Sequence, residues 1–101
     1  MINVLVVGKG SEFSSLEVKG HANSAPMGHD LVCAAVSAVI TGGFNSLENK
    51  KDFSFKLNDG DAFLKSENPV SKHDEVVVET IITSLMTIAE TNHEFIKIKF
   101  M

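Results

Sequence analysis

Residues 2–7 (Ile-Asn-Val-Leu-Val-Val) form a β-branched apolar run that predicts a strand. Turn chemistry follows over Gly8 to Glu12, and residues 13–19 alternate apolar and polar, predicting a second strand and a hairpin with the first. Residues 20–30 contain two Gly, a Pro, an Asn and a Ser with little apolar content, and read as a loop. Residues 31–40 are then apolar nearly all round, the pattern of a helix packed on more than one side. Asp30 stands at its N-cap, and Phe44 and Leu47 carry the spacing past Gly42-Gly43 to about Glu48. Residues 53–57 alternate, Asn58-Asp59-Gly60 marks a tight hairpin turn, and residues 61–66 form the return strand. Ser71-Lys-His-Asp74 resembles a capping box with Asp in place of Glu or Gln. From Asp74 to Thr91, Val77, Ile81, Leu85 and Ile88 share one helical face, flanked by Val78, Ile82 and Ala89. Residues 94–100 alternate and close the chain as a strand. The order ββαββαβ predicts an α/β (α+β) two-layer sandwich: one mixed or antiparallel sheet carrying two main helices.

Length adds that residues 1–101 make one domain able to bury an ordinary core, since domains cluster near ~100–150 residues. No apolar run approaches the ~20 residues of a membrane span, and the first ten residues lack a basic-then-apolar leader pattern, so a cytoplasmic protein is expected. Nine basic against thirteen acidic residues give a net charge of −4, the lysines are scattered, and there is no Arg, Trp or Tyr. Direct nucleic-acid binding is therefore not expected, because phosphate neutralisation supplies most of such affinity.

The single cysteine, Cys33, excludes an internal disulfide. If Asp30 caps the helix, Cys33 falls in its first turn, where backbone N–H groups lack intrahelical partners and the macrodipole is positive. Such a position, with an imidazolium near, lowers a thiol's pKa from its ordinary ~8.5. His21 lies twelve positions upstream at the end of a strand, within reach if the loop folds back. Cysteine attack on a carbonyl, proton transfer by histidine and an oxyanion held by first-turn amides would give acyl transfer. Plainer roles exist for each residue. Cys33 also fits a small buried helix residue, His21 a strand-end residue bonded to a backbone carbonyl, and His29 an exposed loop residue. Asp30 is a cap, an orienter of His21, or both. Ser37, one turn after Cys33, either lines a cleft or bonds the carbonyl one turn back. His73 and His93 read as solvated, Met27 as a loop contact and Met86 as core filler. Phe13, Phe44, Phe53, Phe55 and Phe63 serve core or pocket. His21, His29, Asp30 and Cys33 also form a possible zinc set, but their spacing matches no zinc pattern, so neither metal nor cofactor is expected.

The segments Gly20-His21-Ala22 and Gly28-His29-Asp30-Leu31-Val32-Cys33-Ala34-Ala35-Val36-Ser37 closely resemble the ribosomal-processing cysteine protease family, Prp. In that family a Gly-His-Ala is joined to a Gly-x-Asp-Ile-Val-Cys-Ala-x-x-Ser by a short loop, and Leu31 stands where Ile is usual. Element order, size and the amphipathic second helix extend the resemblance across most of the chain. It implies a cytosolic, homodimeric cysteine endopeptidase. Its substrate would be a protein of the large ribosomal subunit, from which it removes a short N-terminal extension after an aromatic residue. Cys33 would be the nucleophile and His21 the general base. Gly20, Gly28, Asp30 and Ser37 would support the site or bind substrate, and a mobile loop 22–29 would close over the peptide. The alternative is a non-catalytic ribosome-assembly or peptide-binding module, which would bind without cutting.

Overall fold

The computed structural model describes residues 1–26 and 30–101. The strands are β1 (Ile2–Val7), β2 (Ser15–Lys19), β3 (Phe53–Asn58), β4 (Asp61–Ser66) and β5 (Ile96–Phe100), and the helices are α1 (Leu31–Asn45) and α2 (Lys72–Thr91). They follow in the expected order and form one mixed five-stranded sheet, β3-β4-β2-β1-β5. β1 runs parallel to β5 and every other pairing is antiparallel, including the two expected hairpins β1–β2 and β3–β4. Period-two alternation aims Ile2, Val4, Val6, Leu16, Val18, Ala62, Leu64 and Ile96 at one face, where they are buried in a single core. Both helices contribute to that core.

α1 buries one stripe, Val32, Val36, Ile40 and Phe44, rather than its whole circumference; Leu31, Ala34, Ser37 and Ala38 are exposed. α2 buries Val78, Ile81 and Leu85, while Val77, Ile82, Ile88 and Ala89 are half-buried against the core. Met86 is 49% exposed and is not core filler.

Boundaries shift where polar chain ends take over. α1 stops at Asn45, not near Glu48: the Ser46 hydroxyl bonds the Gly42 carbonyl, and the Leu47 N–H reaches only three residues back, to the Phe44 carbonyl. The Glu48 and Asn49 N–H groups then donate to Asp74 at 2.7 and 2.9 Å. α2 begins at Lys72, directly after the expected cap at Ser71, whose hydroxyl accepts the Asp74 N–H at 3.2 Å. The Asp74 carboxylate itself turns to the α1–β3 connection instead of completing a capping box. β2 starts at Ser15, since Phe13 closes a 3-10 turn over Gly10–Glu12 and is buried there. β5 starts at Ile96 because the Phe95 and Ile96 N–H groups close a turn onto the Asn92 carbonyl.

The lysines, scattered in sequence, gather in space. Lys19, Lys56, Lys65, Lys97 and Lys99 lie on the helix-free face of the sheet, where Lys19 pairs with Glu17 at 3.2 Å and Lys56 with Asp61 at 2.7 Å.

The adjacent glycines of α1 have opposite roles. A Cβ on Gly43 would lie 2.3 Å from Cγ1 of Ile81, so the bare backbone permits the close approach of α1 and α2, whereas a Cβ on Gly42 would meet nothing within 4 Å. In urea unfolding, Gly42→Ala is expected to stabilise by about 0.5–1 kcal/mol through helix propensity. Gly43→Ala should destabilise by about 1–3 kcal/mol through overpacking.

Candidate active site

One cleft opens between the N-terminal half of α1 and the β3–β4 hairpin. Its volume is about 280 Å³, and both Cys33 and His21 line it. Apolar Ile2, Val36, Ile40 and Leu57 form part of the wall, and the acidic side chains of Asp59 and Asp61 line it as well. Ser37 faces the same cleft, and among the described residues its hydroxyl makes no bond to the carbonyl one turn back. None of the phenylalanines lines this cleft. Phe13, Phe44 and Phe53 are core; Phe55 is 42% exposed and meets Phe44 edge-to-face at 5.8 Å; Phe63 lies under Lys56 on the open sheet face.

The position of Cys33 follows from the cap. Asp30 adopts extended backbone before α1, and its Oδ1 accepts the Cys33 N–H at 3.0 Å. The same carboxylate reaches into the loop, accepting the Ser24 hydroxyl at 2.6 Å and the Ser24 N–H at 2.9 Å. These bonds, the Ser24 hydroxyl first and the Cys33 N–H next, hold its carboxyl well below the usual carboxylate range. Asp30 is thus a helix cap and a loop clip. Among the described residues it makes no hydrogen bond to His21. The capped Cys33 N–H is also engaged with a carboxylate, so it is not an open oxyanion donor in this state.

Among the described residues the half-buried thiol has one backbone partner. The Ala22 N–H points at Cys33 Sγ at 3.3 Å, and the Ala22 side chain, 3% exposed, anchors that amide in the core.

His21 is exposed at the end of β2. The turn that carries it depends on Gly20, whose φ of +98° suits glycine and where a Cβ would strike the Met1 carbonyl oxygen. The His21 carbonyl accepts the Met1 nitrogen at 2.5 Å. Its imidazole lies against Gly60 at the hairpin tip, and among the described residues no hydrogen bond joins it to Sγ. The two residues therefore share a cleft without being engaged.

Gly28 and His29, along with Met27, lie outside the described residues. Of the possible zinc set, His29 is not described, and both Asp30 oxygens accept hydrogen bonds from Ser24 and Cys33. Among the described residues the groups close enough to share a metal ion are Glu48, His73 and Asp74. His73 and His93 are both exposed, as expected, and His73 is also bonded through Nδ1 to Asp74 at 3.0 Å. Ala22, Ser24 and Gly60 were not singled out for roles by sequence reasoning. The available signals were an apolar residue inside a polar loop, a serine six positions before a cap, and a turn glycine.

The family model for cysteine protease Prp matches residues 1–97. The ribosomal processing cysteine protease Prp of Staphylococcus aureus is 29% identical over 105 residues, covering 99% of each chain. The protein of the same name from Bacillus subtilis is 37% identical over 82 residues, covering 73% of each. Among solved structures, the S. aureus Prp protease in complex with a covalently linked product peptide superposes with a TM-score of 0.87 at 26% identity, covering 100% of both chains. A sequence match over nearly the whole chain and a shared fold lead to one assignment: this chain is a cysteine peptidase and belongs to the Prp family.

Proposed function

We propose that this peptidase removes the short N-terminal extension of a large-subunit ribosomal protein, cutting after an aromatic residue, with Cys33 as nucleophile and His21 as general base. The observation that carries the reading is the placement of the Cys33 thiol in the first turn of α1, on a cleft that His21 also lines. The relatives named for ribosomal processing, and the related structure holding a covalently linked product peptide, support the substrate class.

In this reading an extended peptide enters the cleft and the imidazole, still seated on Gly60, turns toward Sγ. Catalytic hydrogen bonds are often long or absent before substrate binds. His21 takes the thiol proton as Sγ attacks the scissile carbonyl carbon, and negative charge develops on the carbonyl oxygen. The C–N bond breaks as His21 returns that proton to the leaving amine. Water, deprotonated by the same imidazole, then cleaves the thioester and frees Sγ. Asp30 fixes the start of α1 and the loop together, so the nucleophile is held while the base moves. Gly20 lets the chain turn at His21, and Ser37 borders the bound peptide. Asp59 and Asp61 give the cleft an acidic border suited to a basic ribosomal protein. The protein acts in the cytoplasm as a homodimer, without metal or cofactor, and does not bind nucleic acid directly.

The test is to incubate the purified protein with the extended ribosomal protein and identify the products by mass spectrometry. One cut after an aromatic residue near the substrate's N-terminus is the expected outcome. An intact substrate, bound or unbound, would overturn the reading.

A further inference from the structure

The tip of the β3–β4 hairpin lies far from His21 in sequence but against it in space. A Cβ built on Gly60 would lie 2.5 Å from Nε2, 2.8 Å from Cε1 and 3.3 Å from Cδ2 of the His21 ring. Any other residue at 60 would therefore put a side-chain atom where the ring now sits. The tip is itself tied to the strand that carries the histidine. The Gly20 N–H donates to the Gly60 carbonyl at 2.9 Å, and Lys19 pairs in register with Asp61. The backbone of the tip is fixed by these bonds, whereas the imidazole is an exposed side-chain end, so in a collision the ring would move first.

The geometry points to Gly60 as a positioning residue for His21: the absent side chain at the hairpin tip makes the seat that sets where the imidazole rests beside the α1 N-terminus. This rests on the reading of His21 as the general base. The hairpin turn needs a glycine for its φ of +72°, but the seat is a separate requirement. Asparagine tolerates positive φ and still carries a Cβ, so it distinguishes the two.

The experiment compares Gly60→Ala, Gly60→Asn and a strain control, Gly10→Ala. Gly10 has φ of +59°, and a Cβ there would meet only Glu75 Oε1 at 3.5 Å. Cleavage kinetics are measured for each, and His21 ring resonances are followed by NMR in a Cys33→Ala background. Both Gly60 variants should lower kcat about 100-fold with little change in KM, the scale of a ~1 Å misplacement of a catalytic group. Gly10→Ala should leave kcat unchanged, and the His21 resonances should shift in both Gly60 variants. In a His21→Ala background, Gly60→Ala should cost no further activity. Wild-type turnover in Gly60→Asn, unmoved His21 resonances, or an equal loss on top of His21→Ala would each overturn the proposal. If Gly60→Ala fails to fold, Gly60→Asn carries the test. If the wild-type chain cuts nothing, the peptide-cleavage reading fails, and the NMR shifts alone still decide whether the seat exists.

Discussion

Cys33→Ala is expected to lower cleavage on the order of a millionfold while leaving the fold in place. Nucleophile and base act as a unit, and removing the nucleophile from such a unit costs on that scale in a well-measured serine protease. Alanine is a good helix former, and position 33 is only half-buried. The variant loses one amide–sulfur contact, from Ala22, and should change the melting temperature by only a few degrees. Cys33→Ser should be nearly as inactive, because a hydroxyl has no appreciable anionic fraction at neutral pH. His21→Ala removes proton transfer, itself worth roughly 10²–10⁴-fold, and the double variant should be no slower than Cys33→Ala. Product formation followed by mass spectrometry measures all four. Retained turnover in Cys33→Ala would remove the sulfur from the mechanism, whereas an inactive wild type that still binds the peptide would favour a binding module.

The parts legible in sequence were those governed by local rules. Period two marked the strands, Asn58-Asp59-Gly60 marked a hairpin that the structure contains, and Asp30 marked the start of α1 and therefore the first-turn position of Cys33. The misjudged parts depend on contacts between distant segments. Nothing near Asn45 announces the end of α1; the following amides are taken by Asp74, more than twenty residues later. Nor does spacing show that the His21 ring meets Gly60, because that contact exists only once β2 and β4 have paired. The same holds for the lysines, which reach one face only through strand register. Met86 has helical spacing but points outward, since the buried stripe of α2 runs through Val78, Ile81 and Leu85. Ser24 stands six positions before the cap, but that spacing alone does not name Asp30 as its partner. Candidate chemistry was therefore readable as an inventory of residues, while their mutual orientation was not.

Asp74 carries the largest expected effect on stability. Its carboxylate is fully buried and accepts the Glu48 N–H at 2.7 Å, the Asn49 N–H at 2.9 Å and His73 Nδ1 at 3.0 Å. Burial pushes its pKa up, but the Glu48 N–H, His73 and the Asn49 N–H together outweigh it and hold the group below its ordinary value. Asp74→Ala orphans two partly buried amides, each worth about 1–3 kcal/mol, offset in part by no longer burying a carboxylate. The expected net loss is about 3 kcal/mol, or a fall of roughly 12–24 °C in Tm. Asp74→Asn should fall between, because the two N–H groups donate to different carboxylate oxygens and an amide would turn its NH2 toward one of them. The pH dependence has two flanks. Asp74, lowered in the fold, contributes fully above its unfolded pKa of about 3.9 and loses that contribution as pH falls through its folded value. His73 is raised, chiefly by its bond to Asp74 and then by Glu48, so its contribution is full below about 6.5 and is lost as pH rises through its folded value. Both contributions are complete only between about pH 4 and 6.5. The difference in Tm between wild type and Asp74→Asn should accordingly be greatest in that window and shrink on either side. A difference that stays constant from pH 3 to 9 would mean that the carboxylate's charge has no part in holding the α1–β3 connection to α2.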